Sequence, residues 1–190
     1  GNDVSGADPD LSPLTTVRVN GNAAFPPTDY ALDIGSLTPI GDGGIALNGG
    51  AGSTLSLVTT ADRVRMNGIV ELQSDVWIDT SDSGTASGAE IRFTQIATID
   101  SEPGEANGLT LSAGIDGVVD FNADIGTVAA LGHLIVTEAL GVALGSGSNL
   151  SDADLGPVTA VWVDGDAPAD ASYALDIGSV SAIGAGGIVL

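Results

Sequence analysis

Apolar residues recur at every second position through most of this chain. Val17 and Val19, Val64 and Met66, Val70 and Leu72, and Val76 and Ile78 each bracket one more polar or bulkier residue. Ile91 and Phe93, Leu109 and Leu111, Val119 and Phe121, and Val161 and Val163 do the same. Successive side chains on a strand point to opposite faces, so this alternation predicts short strands with one buried face. Gly, Asn, Asp and Ser separate the runs and supply turn conformations. No window carries a helical period with caps. Val128–Leu144 is the most helix-tolerant segment, yet its Leu134/Val136 and Val142/Leu144 pairs also fit strands. The expected fold class is all-β.

The pattern also returns on a long period. Tyr30–Leu47 reappears as Tyr173–Leu190, identical at thirteen of eighteen positions, and Asp8–Ala23 aligns with Asp152–Ala167. The offset is 143 residues in the first pair of blocks and 144 in the second. Self-similarity at a fixed period marks arrays in which each unit is stabilised by stacking on its neighbours. The expected organisation is a window from a tandem array, with one full unit over 8–151, the opening of the next over 152–190 and the end of a preceding one over 1–7. A shorter echo, Asp-Ile-Gly followed by an apolar residue and Gly, runs over Asp33–Gly41, Asp124–Gly132 and Asp176–Gly184. It reads as a corner in which Asp bonds its own turn and Gly reverses the chain. Short strands between recurrent corners suit a coil whose rungs pair with the rungs below, a parallel β-solenoid. At roughly 20–25 residues per rung, one unit should supply about six or seven rungs and its copies should superpose by translation along the axis.

Charge narrows the functional classes. Four Arg and no Lys stand against 25 Asp and Glu, for a net charge of −21. Nucleic acid is an unsuitable partner, since phosphate binding needs a dense basic surface, and anionic membranes are equally unsuitable. With 43% hydrophobic residues the chain holds too much apolar content for the disorder that acidity often signals. Cysteine is absent, so rigidity must come from the core and the backbone ladder. No stretch approaches the ~20 apolar residues of a membrane span.

Gly108–Thr137 (GLTLSAGIDGVVDFNADIGTVAALGHLIVT) and Gly43–Gly50 (GGIALNGG) resemble the repeat grammar of filamentous-haemagglutinin-like and related giant beta-strand-repeat surface proteins of bacteria. The resemblance implies a secreted, right-handed parallel β-helix, extracellular or at the cell surface. The Lys-free acidity and the loop Phe25–Tyr30 (FPPTDY) depart from that grammar, so no receptor or export route carries over.

Residues that interrupt the apolar alternation are the contact candidates. Arg18, Arg65 and Arg92 each stand between two strand apolar residues, and Arg63 lies two before Arg65, so all four should face outward. They read either as scattered solubilising charges or as contacts to acidic faces of neighbouring filaments. Trp77 and Trp162 are placed outward by the same logic. They would shield a loop, pack on another chain or stack on a sugar.

Metal and catalytic signals are thin. Asp8/Asp10 and Asp152/Asp154 keep a D-x-D pair, and Gly49–Leu55 resembles the calcium nonapeptide with Thr54 in the ligand position. Calcium is thus a candidate ligand and no cofactor is required. His133, the only His, reads as a surface residue. With no Lys and no acid–base constellation, an enzyme is not expected. Two functions remain. The first is a structural repeat of a giant secreted β-solenoid that self-associates into a fibre, sheath or stalk, its partners being neighbouring repeats. The alternative is an adhesin segment binding a glycan or protein receptor through Trp77, Trp162 and outer loops.

Overall fold

In a computed structural model of the chain, the residues described are 14–19, 30–35, 38–145, 155–164 and 173–190. They form fifteen short strands and no helix. The D-x-D pairs and the loop of residues 25–29 lie outside the described residues.

The chain visits three sheets in a fixed cyclic order. The first circuit is β1 (Thr16–Val19), β2 (Leu32–Ile34) and β3 (Ile45–Leu47). The second is β4 (Thr54–Thr59), β5 (Val64–Met66) and β6 (Val70–Leu72), and the third is β7 (Asp75–Asp79), β8 (Ile91–Phe93) and β9 (Ile99–Ser101). The fourth is β10 (Leu109–Ser112), β11 (Val118–Phe121) and the bridge residue Ile125. The fifth is β12 (Leu134–Glu138), β13 (Gly141–Leu144) and the bridge residues Val161 and Val163, and β14 (Leu175–Ile177) and β15 (Gly187–Val189) open a sixth. Sheet order follows: β1-β4-β7-β10-β12-β14 in the first, β2-β5-β8-β11-β13-β15 in the second, β3-β6-β9 in the third. Every pairing between these strands is parallel. The architecture is all-β with many-stranded parallel sheets.

Register turns the sequence alternation into stacked apolar ladders. In the first sheet Leu55, Val76, Leu109, Leu134 and Leu175 align, as do Leu57, Ile78, Leu111, Val136 and Ile177. In the second, Met66, Phe93, Phe121 and Leu144 align, and the two Phe rings stack at 5.3 Å and 6°. In the third, Ile45, Val70, Ile99, Ile125 and Val161 continue one line. The three inner faces close one core, fully buried at Val64, Met66, Val70, Leu72, Ile78, Ile91, Leu109 and Leu111. Burying each such side chain contributes about 1.5–3 kcal/mol.

Polar groups stack at one corner. Thr94 Oγ1 donates to Asn67 Oδ1 at 2.8 Å, Asn67 Nδ2 donates to Gly35 O at 2.8 Å, and Asn122 Nδ2 donates to Phe93 O at 3.0 Å. Each follows the last strand residue of its circuit in the second sheet, so buried carbonyls at the bend find partners one circuit away.

Three expectations are corrected. Aligned residues of adjacent circuits lie from 21 apart (Leu55 and Val76) to 46 apart (Val142 and Ile188), so a unit holds fewer circuits than six or seven. The extra residues sit in the connections, which a parallel ladder tolerates. The two copies are not related by translation: the identical Leu-Asp-Ile strands β2 and β14 belong to different sheets. The corner Asp, expected to bond its own turn, reaches beyond it. Asp124 accepts from Thr159 Oγ1 (2.9 Å) and Ala160 N (3.0 Å), and Asp33 pairs with Arg65, both one circuit on. The corner Gly does reverse the chain at positive φ, and at Gly126 a Cβ would also meet Trp162 O at 2.2 Å.

Candidate functional site

Two outer surfaces gather the side chains that could meet a partner. On the second sheet the outward column reads Asp33, Arg65, Arg92, Asp120 and Ala143. Two guanidinium groups on adjacent strands would repel, and carboxylates flank them. Arg65 makes a bidentate pair with Asp33 at 2.9 and 2.8 Å. Arg92 reaches Glu90 at 2.8 Å and Asp120 at 3.2 Å, and Arg63 reaches the other oxygen of Glu90 at 2.6 Å. The Tyr30 ring lies under Arg63 (5.0 Å) and Arg65 (4.7 Å), and its hydroxyl donates to Glu90 at 3.0 Å. Burial, then the Glu90 charge, pushes the Tyr30 phenol up to about 12. Arg63, Arg65 and Arg92 thus lie flat on the outer face, half-buried among their own carboxylates. Only in Arg18 is the side chain mostly exposed, at 61%, tethered to Asp82 at 2.7 Å.

On the first sheet the outward column is Thr16, Ser56, Trp77, Thr110, Ile135 and Asp176. Here lies a groove of about 620 Å³, floored by Ser56, Trp77 and Thr110 and walled by Ser81, Ser83, Gly84, Glu138 and Val180. The wall is fixed by Asp79, whose buried carboxylate accepts from Ser81 N, Ser81 Oγ and Ser83 N, each at 2.7 Å. Asp82, Ser83 and Gly84 then run at positive φ, a conformation that persists only where the surroundings fix it. Trp77 is half-buried in this groove. Trp162 stands elsewhere, on the line of the third sheet, 60% exposed. The two Trp do not form one site.

His133 is corrected from a surface residue to a buried one. Its ring lies over Gly108, where a Cβ would stand 1.9 Å from it, and Nε2 sits 3.4 Å from Thr110 Oγ1. Sequence reading also passed over Glu90 and Tyr30, which organise the Arg cluster. A Glu directly before an apolar strand pair was the one signal available, and only the register shows that it is buried.

The groove offers an indole face, hydroxyls and the Glu138 carboxylate, a set suited to stacking and hydrogen bonding a polyol. Asp79 is consumed by its own turn. Among the described residues no three His, Asp or Glu side chains gather as a metal-holding group, and Gly49–Leu55 forms a turn tied by Gly49 N to Ser74 Oγ at 2.7 Å. No protein family, no curated protein and no solved structure matches the chain.

Proposed function

We propose that this chain is a segment of a right-handed parallel β-helix, a structural repeat of a giant bacterial surface protein that builds an extracellular fibre, sheath or stalk. One observation supports the reading: among the described residues fifteen strands cycle through three sheets, and every pairing between these strands is parallel. In such an arrangement each circuit is held by the backbone ladder of the next, and length adds circuits without changing the cross-section. The role is mechanical, needs no cofactor and involves no catalysis; the ladders resist extension and the acidic coat keeps neighbouring shafts apart. Self-association is the test. Light scattering and electron microscopy on the concentrated protein should show end-to-end growth, while a monomer at every concentration would count against the fibre.

A second reading, an adhesin segment, is favoured by the Trp77 groove. It expects a neutral or amino sugar, because a coat of net charge −21 repels polyanions. Binding on a glycan array that disappears in Trp77→Ala would support it, and an array without hits would remove its glycan form, leaving only a protein receptor.

A further inference from the structure

The two copies differ in phase, and the phase identifies an interface. From β2, four full circuits lead through β5, β8 and β11 to β13, and two further sheet passages lead to β14. The repeat therefore advances four and two-thirds circuits. Its other segments agree: β1 in the first sheet returns as Val161–Val163 on the line of the third, and β3 in the third returns as β15 in the second. Every element of the second copy is displaced by one third of a circuit.

In the first copy, β2 and β3 are covered by the segment that follows. Leu32 N donates to Arg63 O, Ile34 O accepts from Asn67 N, and Ile45 N donates to Ile69 O. Arg65 clamps Asp33, and Arg63 and Arg65 enclose Tyr30. Ile45 and Leu47 are buried as a result. The second copy presents the same residues uncovered: Tyr173 is 66% exposed, and Leu175, Ile188 and Val189 are about half exposed. β14 is bonded to β12 through Leu134 N to Ala174 O and Gly178 N to Val136 O, which turns Leu175 N and Ile177 O to the opposite edge.

We propose that this face, formed by Tyr173, Leu175, Asp176 and Ile188, docks a second copy of the 48–72 segment, with a copied Arg65 on Asp176 and copied Arg63 and Arg65 around Tyr173. The copied β5 then adds to the first sheet, where its original lies in the second. The Arg–Tyr–carboxylate cluster is rebuilt one third of a circuit round the shaft. Three repeats complete fourteen circuits and bring each surface back to its starting face. This rests on the tandem reading above, and it adds the partner, its register and its rotation.

The test is the chain extended beyond Leu190 by a copy of residues 48–104. The protein has no cysteine, so a pair can be placed freely. Asp176→Cys with the copied Arg65→Cys should form an intramolecular disulfide, because paired outward positions on adjacent strands fall within bridging distance. Val189→Cys with the same copied position should not, since that pair would meet only if the copies were related by translation. With 3-fluorotyrosine, the resonance removed by Tyr173→Phe should shift on extension and shift back when both copied Arg are changed to Ala. Trapping through Val189, or through neither position, overturns the proposal. Trapping through Asp176 in a chain that stays monomeric upholds this interface while sinking the fibre reading.

Discussion

Tyr30 shows how an acidic chain handles its few cations. Three Arg are gathered where one buried Glu, two Asp and one aromatic ring can neutralise them, since a half-buried guanidinium left unpaired is costly. The phenol follows from that setting. Its value of about 12 lies above the ordinary 10.0, so between those limits the unfolded chain loses a proton that the folded chain keeps. Its contribution is whole below pH 10 and is lost as pH rises toward 12. Absorbance titration should find one tyrosine still protonated at pH 11 that is missing in Tyr30→Phe. Gly108 makes a second prediction. Alanine there would drive a methyl into His133, and denaturant unfolding should show a loss of about 1–3 kcal/mol. The double variant with His133→Ala should recover most of it. Neither Tyr30 nor His133 was legible as a structural residue, because a lone side chain carries no period. Its partners lie 60 residues away for Glu90 and 23 for Thr110.

Elements were far more legible than residues. The apolar pairs at Val64/Met66, Val76/Ile78, Ile91/Phe93 and Val119/Phe121 are all strand residues with buried side chains, and Leu134/Val136 settles the ambiguous segment as strand. Alternation reports the local backbone directly, and a core on one side preserves it. Which strands share a sheet was hidden, because connection lengths vary too widely to fix a rung size. The ladders nonetheless make a firm prediction. Leu111→Ala interrupts the six-residue line from Val17 to Ile177 and should cost about 2–5 kcal/mol in equilibrium unfolding. Asp124 predicts a pH effect at the bridge strand. The Thr159 backbone N–H is the first cause holding its carboxyl below the usual range. The tie is therefore present above ordinary carboxylate titration and is lost as pH falls through the lowered value. Hydrogen exchange at Trp162 N, which donates to Ile125 O at 2.9 Å, should speed up in Asp124→Ala at neutral pH.

For the whole molecule, the repeat was legible and its geometry was not. Thirteen identities in eighteen show that two segments are copies, yet nothing in them says that one lies in the second sheet and the other in the first. The same Leu-Asp-Ile strand serves both sheets because each asks only for two inward apolar residues around an outward polar one. Such interchangeability lets one sequence segment serve either sheet. The central claim is that the chain winds through three parallel sheets, each gaining one strand or bridge per circuit, and distances along one column test it most directly. Spin labels on Ser56→Cys and Asp176→Cys span four strand steps of the first sheet, through Trp77, Thr110 and Ile135. Pulsed electron resonance should give a backbone separation of about 19 Å, set by the spacing of strands in a ladder. A separation near a single strand spacing, or a broad distribution with no maximum, would contradict the account.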